Sequence, residues 1–202
     1  MVGNLRTLAD LVPTEIAAAF QALDKEGAIF PAGSLIQSQG QHVVAPRLVV
    51  SGWAWRTRYL PNGREQVVAI VLPGDFIGLC WRPKPKALSS TVALTQLKVR
   101  PAGGLLPVMR SAGQLHPGLR EALTLLSRHD EMRLLDHVVR LGGQPAIERM
   151  AGLMLELHSR LRHVGLANAD SFERPLTQAD LSKVLGVSMI HVNRIRPSWR
   201  RF

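Results

Sequence analysis

LTQADLSKVLGVSMIHVNR, residues 176–194, decides how this chain is read. Thr177 stands where a hydroxyl caps a helix start by accepting from a free backbone N–H, and Asp180 three residues on makes a partial capping box. Leu181, Val184 and Leu185 fall at i, i+3 and i+4 and form one buried face. Gly186 supplies a sharp turn with positive φ. Ser188 caps a second helix, in which Val192 and Ile195 face inward and Met189, Ile190, His191, Asn193 and Arg194 point outward or sideways. A helix, a glycine turn and a second helix form the pattern of a helix-turn-helix, whose second helix enters the DNA major groove. Arginine pairs bidentately with guanine and asparagine with adenine, so Arg194 and Asn193 are the expected base readers. Thr177, Ser188 and His191 suit phosphate oxygens, which fix position without reading sequence. Met189 and Ile190 complete the expected DNA face. Helix–glycine–helix pairs also occur in proteins that never meet DNA. The neighbouring charge weighs against that reading: from Ser188 to Phe202 there are four arginines (Arg194, Arg196, Arg200, Arg201) and no acid.

The whole chain carries the same bias, with 25 Lys and Arg against 15 Asp and Glu, a net charge of +10 that favours polyanionic partners. A hydrophobic content of 46% with 20% charged residues suits a soluble globular protein. No apolar run is long enough to span a membrane, and the N-terminus lacks the apolar core of a signal peptide. A cytoplasmic location is therefore expected. The single cysteine, Cys80, excludes an internal disulfide and fits a reducing compartment. One cysteine also cannot hold an iron–sulfur cluster. No nucleophile–base pair, metal-ligand spacing or phosphate loop is present, so neither an enzyme nor a metal site is expected.

Upstream of 176 the texture changes twice. Apolar positions at helical spacing run from Leu8 to Leu23, with a helix start near Pro13 and Thr14. From Ala28 to Arg100, short β-branched runs alternate with turn signals, and Asn62–Gly63 joins Trp53–Tyr59 to Glu65–Leu72 as a hairpin. Pro117 opens a long helix over 117–141 whose apolar residues cover more than one stripe. One side packs on the β domain. The other either faces a second copy through Leu125, Met132, Leu135 and Val139 or is buried in its own domain. A further helix covers 145–162, with Ile147, Met150, Leu153, Leu155 and Leu157 available for a core, and 164–175 reads as a loop or small hairpin.

PLTQADLSKVLGVSMIHVNR (175–194), preceded by AIERMAGLMLELHSRLRHVGL (146–166), resembles the DNA-binding half of the Crp/Fnr family of bacterial transcription regulators. VVSGWAWRTRYLPNGREQVVAIVLPGDFIGL (49–79) looks like that family's cyclic-nucleotide-binding-type β-roll. The resemblance implies an α+β chain in three parts. These are an antiparallel, jelly-roll-like β-roll (1–116), a dimerisation helix (117–141) and a C-terminal winged helix-turn-helix domain (142–202) that is truncated here. It implies a homodimer in which effector binding re-sets two heads on a palindromic double-stranded site. RNA polymerase and an unidentified small-molecule effector are the further partners considered.

Gly74, Asp75, Phe76, Ile77 and Gly78 match the start of the family's phosphate-binding cassette. Cyclic-nucleotide binders continue with an Arg-Ser/Thr-Ala segment, whereas the corresponding ALSSTVAL (87–94) has no arginine. Arg82, Lys84 and Lys86 lie nearby, on a strip that Pro83 and Pro85 should hold extended. The candidate effector residues are therefore Gly74, Asp75, Gly78, Ser89, Ser90 and Thr91, with the alternative that the glycines only make the turns of the β-roll. Without the charged bidentate contact, cyclic AMP is not expected as the ligand. Haem ligation by His42 or Cys80 has nothing to distinguish it. At the other end the family's recognition helix continues into a β-hairpin wing, but here Arg194 is followed by IRPSWRRF. Pro197 cannot bond the carbonyl of Asn193, which leaves a helix of about two turns over Met189–Arg196. Two readings stay open. Either the short helix docks with help from Arg200 and Arg201, with Trp199 and Phe202 covering the core, or the chain is a sensor and dimerisation module with weak or no specific DNA binding.

Overall fold

The computed structural model describes residues 5–23, 26–80, 82–111 and 115–195. Helix α1 (Pro13–Gln21) precedes eight strands: β1 (Ala28–Phe30), β2 (Leu35–Gln37), β3 (Arg47–Ser51), β4 (Ala54–Tyr59), β5 (Glu65–Val71), β6 (Phe76–Ile77), β7 (Ser90–Ala93) and β8 (Leu97–Pro101). Then follow α2 (Leu105–Arg110), α3 (Pro117–Gly143), α4 (Ala146–His163), α5 (Gln178–Leu185) and α6 (Met189–Ile195). The fold is α+β. Two four-stranded antiparallel sheets, ordered β1-β8-β3-β6 and β2-β7-β4-β5, face each other across Ile36, Val49, Ala54, Val71, Ile77, Ala93, Leu97 and Val99.

The hairpin sits where the sequence puts it, with Tyr59 opposite Glu65. Only Gly63 takes a positive φ (77°). Asn62 uses its side chain instead, Oδ1 accepting from the Arg64 N–H at 3.1 Å. The strip 82–86 is not simply extended, because Lys84 adopts φ 47°. Residues 164–175 form a small turn closed by an Ala167–Phe172 bridge.

Helix α3 continues two residues beyond the expected 141 and stops at Gln144, just before Pro145, which cannot extend a helix hydrogen-bond ladder. Its start is held from far away in sequence. Glu15 of α1 is buried, and its Oε1 accepts from the N–H groups of Gly118 (2.7 Å) and Leu119 (3.3 Å), while Oε2 takes the Val12 N–H (3.1 Å). A carboxylate at a helix N-terminus satisfies otherwise unbonded donors and opposes the positive end of the dipole. His116, at the left-handed N-cap, offers no side-chain bond there.

The outer face of β4 and β5 does not meet solvent. Trp53, Trp55, Val67, Ile70 and Leu72 pack on Met150, Leu153, Met154, Leu157 and Leu161 of α4 and on Leu181, Val184, Leu185 and Val192 of the last two helices. One core thus crosses the helix break at 144–145. Two residues expected in the core of α4 are not there: Ile147 and Leu155 are exposed. The buried set at 150, 153, 154, 157 and 161 follows the 3.6-residue period, and Leu155 falls on the opposite side.

Candidate nucleic-acid interface and effector cavity

In the helix-turn-helix, Thr177 Oγ1 accepts from the Asp180 N–H (3.2 Å) and Asp180 Oδ2 takes the Thr177 N–H (2.8 Å), so the capping box closes in both directions. The Thr177 hydroxyl also donates to Asp180 Oδ2 at 2.6 Å. With its donors engaged, Thr177 is a helix cap and not the free phosphate donor that the sequence suggests. At Gly186 the chain turns with φ 64°, and a Cβ there would stand 3.1 Å from Leu141 of α3. Arg149 of α4 donates to the Leu185 carbonyl (3.1 Å) and closes the C-terminus of α5. Ser188 Oγ accepts from the His191 N–H (3.3 Å), which leaves its own hydroxyl proton available.

Val192 is fully buried against α5, and this orients α6. Met189, Ile190, His191, Asn193 and Arg194 are exposed on the remaining faces. Among the described residues neither the Asn193 nor the Arg194 side chain has a hydrogen-bond or ion-pair partner. The expectations placed on the Ile195 side chain and on Arg196–Phe202, including the break at Pro197 and the missing wing, lie outside the described residues.

The head is bound to the β-roll by more than apolar contact. Lys183 of α5 stands 3.7 Å from Glu65 and 5.1 Å above the Trp55 ring. A chain of ion pairs runs deeper. Arg56 of β4 lies 2.5 Å from Asp130 of α3, and Arg133 on the next turn is 3.5 Å from Asp130 and 3.9 Å from Asp75. Asp75 pairs with Arg160 of α4, Arg160 reaches Glu156 at 3.0 Å, and Glu156 pairs with Arg140 back on α3. Burial works against the charge of Arg160, but Asp75 and Glu156 outweigh it and hold the guanidinium above its ordinary pKa. Beside this chain, His137 Nε2 is 3.2 Å from the Val67 carbonyl. Burial lowers the pKa of its imidazole, and the charge of Arg140 adds to the effect against the Val67 and Glu156 contributions.

A cavity of about 310 Å³ lies between the β-roll and α3. Of the six expected effector residues, Asp75, Gly78, Ser89 and Thr91 line it. Gly74 and Ser90 do not. Gly74 lies in the turn before β6, its N–H bonded to the Val49 carbonyl, and Ser90 is buried with its hydroxyl accepting from the Gln39 N–H. The sequence reading also missed a cation of the wall. Arg56 enters from β4, on the same inner face as Ala54 two residues before it. It is already engaged, by Ser89 Oγ (3.2 Å) and by Asp130. Among the described residues no group of three His, Cys, Asp or Glu side chains comes together to hold a metal ion.

Of the expected dimer residues, Met132, Leu135 and Val139 project into solvent, 59%, 61% and 62% exposed, and Leu125 is half-buried. A ligand-type β-roll, a long helix with an uncovered apolar stripe and an exposed recognition helix define a class: a two-part DNA-binding regulator. No protein-family model matches the chain. The nitrogen fixation regulation protein FixK of Bradyrhizobium diazoefficiens is 26% identical over 168 residues, 82% of this chain and 68% of the relative. FixK of Azorhizobium caulinodans is 27% identical over 187 residues, 90% and 70%. The structure of FixK2 from Bradyrhizobium japonicum matches with a TM-score of 0.72 at 24% identity, over 86% of this chain and 83% of that one. The chain is similar to these regulators in sequence and to FixK2 in fold, the likeness expected of the Crp/Fnr family.

Proposed function

We infer that this chain is a DNA-binding transcription regulator of the Crp/Fnr type, a non-enzymatic protein acting on DNA in the cytoplasm as a homodimer. The observation that carries the reading is α6: Asn193 and Arg194 stand exposed and unengaged on a helix fixed by Val192 and by the turn at Gly186. Asn193 and Arg194 read base edges, and Ser188 and His191 meet phosphate oxygens. Ile190 and Met189 lie against thymine methyl groups or the groove wall. Met132, Leu135 and Val139 form the seam with the second copy, which places two heads on a palindromic site. RNA polymerase is a further partner of a regulator of this kind.

The cavity between β-roll and α3 is the effector site, and cyclic AMP is not its ligand. The 87–94 segment brings no arginine, and the cations of the wall, Arg56, Lys86 and Arg133, are matched by Asp75, Asp130 and Glu131, with Arg56 held by Asp130. Gel shifts at low and moderate salt test the DNA reading. Sequence-selective binding that weakens with salt is expected, since phosphate contacts release counterions. Arg194→Ala should narrow the gap between preferred and scrambled duplexes. Equal, weak binding to every duplex would refute a sequence-specific regulator.

A further inference from the structure

A second cavity, of about 340 Å³, lies on the far side of Asp75 from the effector cavity, where the β5–β6 turn, α3 and α4 meet the N-terminal segment. Asp75, Leu126 and Arg133 line both cavities and form the partition between them. The second one has a different charge. His129 and Arg133 come from α3 and Ser159, Arg160 and His163 from α4, against the single carboxylate of Asp75. One oxygen of that carboxylate is fully engaged and the other faces Arg133. Its Oδ2 takes the Leu72 N–H (2.8 Å) and Arg160, and Oδ1 is the more distant partner of Arg133.

The cations differ in what they have left. Arg160 is spent: its Nη atoms donate to Glu156, Asp75 and the Ile70 carbonyl, and its Nε–H is buried away from the cleft. Arg133 is not: a guanidinium offers five N–H donors, yet its contacts are one hydrogen bond at 3.5 Å to Asp130 and the 3.9 Å approach to Asp75. His163 uses Nδ1 on the Ser159 carbonyl (2.6 Å) and keeps Nε2 for another partner. The spare donors of Arg133 and His163 and the Ser159 hydroxyl, around a cleft also lined by Thr7, match an oxyanion with several acceptor oxygens, for which charge-assisted bonds are the strong ones. The volume suits a small molecule.

We propose that this cleft is a second binding site, distinct from the effector cavity and the DNA face, and that it takes a small molecule carrying a phosphate group. Because its walls come from both the β-roll and the first helix of the head, the bound anion bridges the two parts of the regulator.

The test is isothermal titration calorimetry of the full chain with inorganic pyrophosphate, at constant ionic strength and against a sulfate-matched blank. Saturable binding of one pyrophosphate per chain is expected. Arg133→Gln should weaken it at least tenfold. Ser159→Glu, which adds a carboxylate at an exposed wall position and leaves the ion pairs in place, should do the same should Arg133→Gln fail to fold. Absence of saturable heat would overturn the proposal. So would binding that survives Ser159→Glu but is lost on Arg194→Ala or Ser89→Ala, which would move the anion to the DNA face or the effector cavity.

Discussion

The two halves of α3 carry similar apolar patterns and meet different surroundings. In the first half Leu119, Ala122, Leu123 and Leu126 are buried against α1, α2 and Leu48 of the β-roll. In the second half Met132, Leu135, Val138 and Val139 lie open, while the other side of the same turns carries Arg133, His137 and Arg140 towards β5 and α4. The chain therefore covers the first half by itself and uses only the polar side of the second. Four large exposed apolar residues along one helix side mark an interaction surface, and their spacing suits a parallel or crossing copy of the same helix. The first half is covered by the fold, and the second leaves an apolar stripe that its own chain does not cover.

Substitutions in each half should separate these roles. Leu123→Ala removes a fully buried side chain and should cost about 2–5 kcal/mol, seen as a lower denaturant midpoint that does not depend on protein concentration. Leu135→Glu should leave the fold of the chain intact but place two like charges at the seam, a cost of several kcal/mol in association. Sedimentation should then report the 22.2 kDa chain mass in place of twice that value. A Leu135→Glu protein that stays dimeric would show that the second half of α3 is not the seam.

Further out, Arg194→Ala should lose about 1–3 kcal/mol of discrimination at one base pair in each half-site and leave the thermal midpoint unchanged. The smallest effect belongs to His137. Its folded pKa lies below the unfolded value of 6.5, so the unfolded chain binds the proton more readily. The resulting stability is present in full above pH 6.5 and is lost as pH falls through the folded value. Thermal melts of His137→Gln should be less acid-sensitive over that window than those of the parent. Equal sensitivity would show that the titration of His137 is not coupled to folding.

What the sequence revealed and what it hid differ by range. The helix-turn-helix and the Asn62–Gly63 hairpin are local: cap, turn and apolar spacing lie within a few residues, and both stand as read. The exposure of half of α3 was open in the sequence, because periodicity counts apolar positions but does not say what lies opposite them. The charged features escaped altogether. Glu15 caps a helix 103 residues away, and Asp75 meets Arg160 across 85. Arg56 reaches the cavity because it shares the inner face of β4 with Ala54. In a linear reading each is one more surface charge, and only the sheet order and the packing of α4 on β4–β5 bring them together.

A homodimer joined along the second half of α3 would present two copies of α6 to one duplex. Selection from random duplexes with the intact protein, followed by sequencing of the bound fraction, tests it most directly. The bound fraction should show an inverted repeat whose half-sites are about 34 Å apart, or a multiple of that, centre to centre. Enrichment of a single, asymmetric half-site, or of no sequence at all, would contradict it.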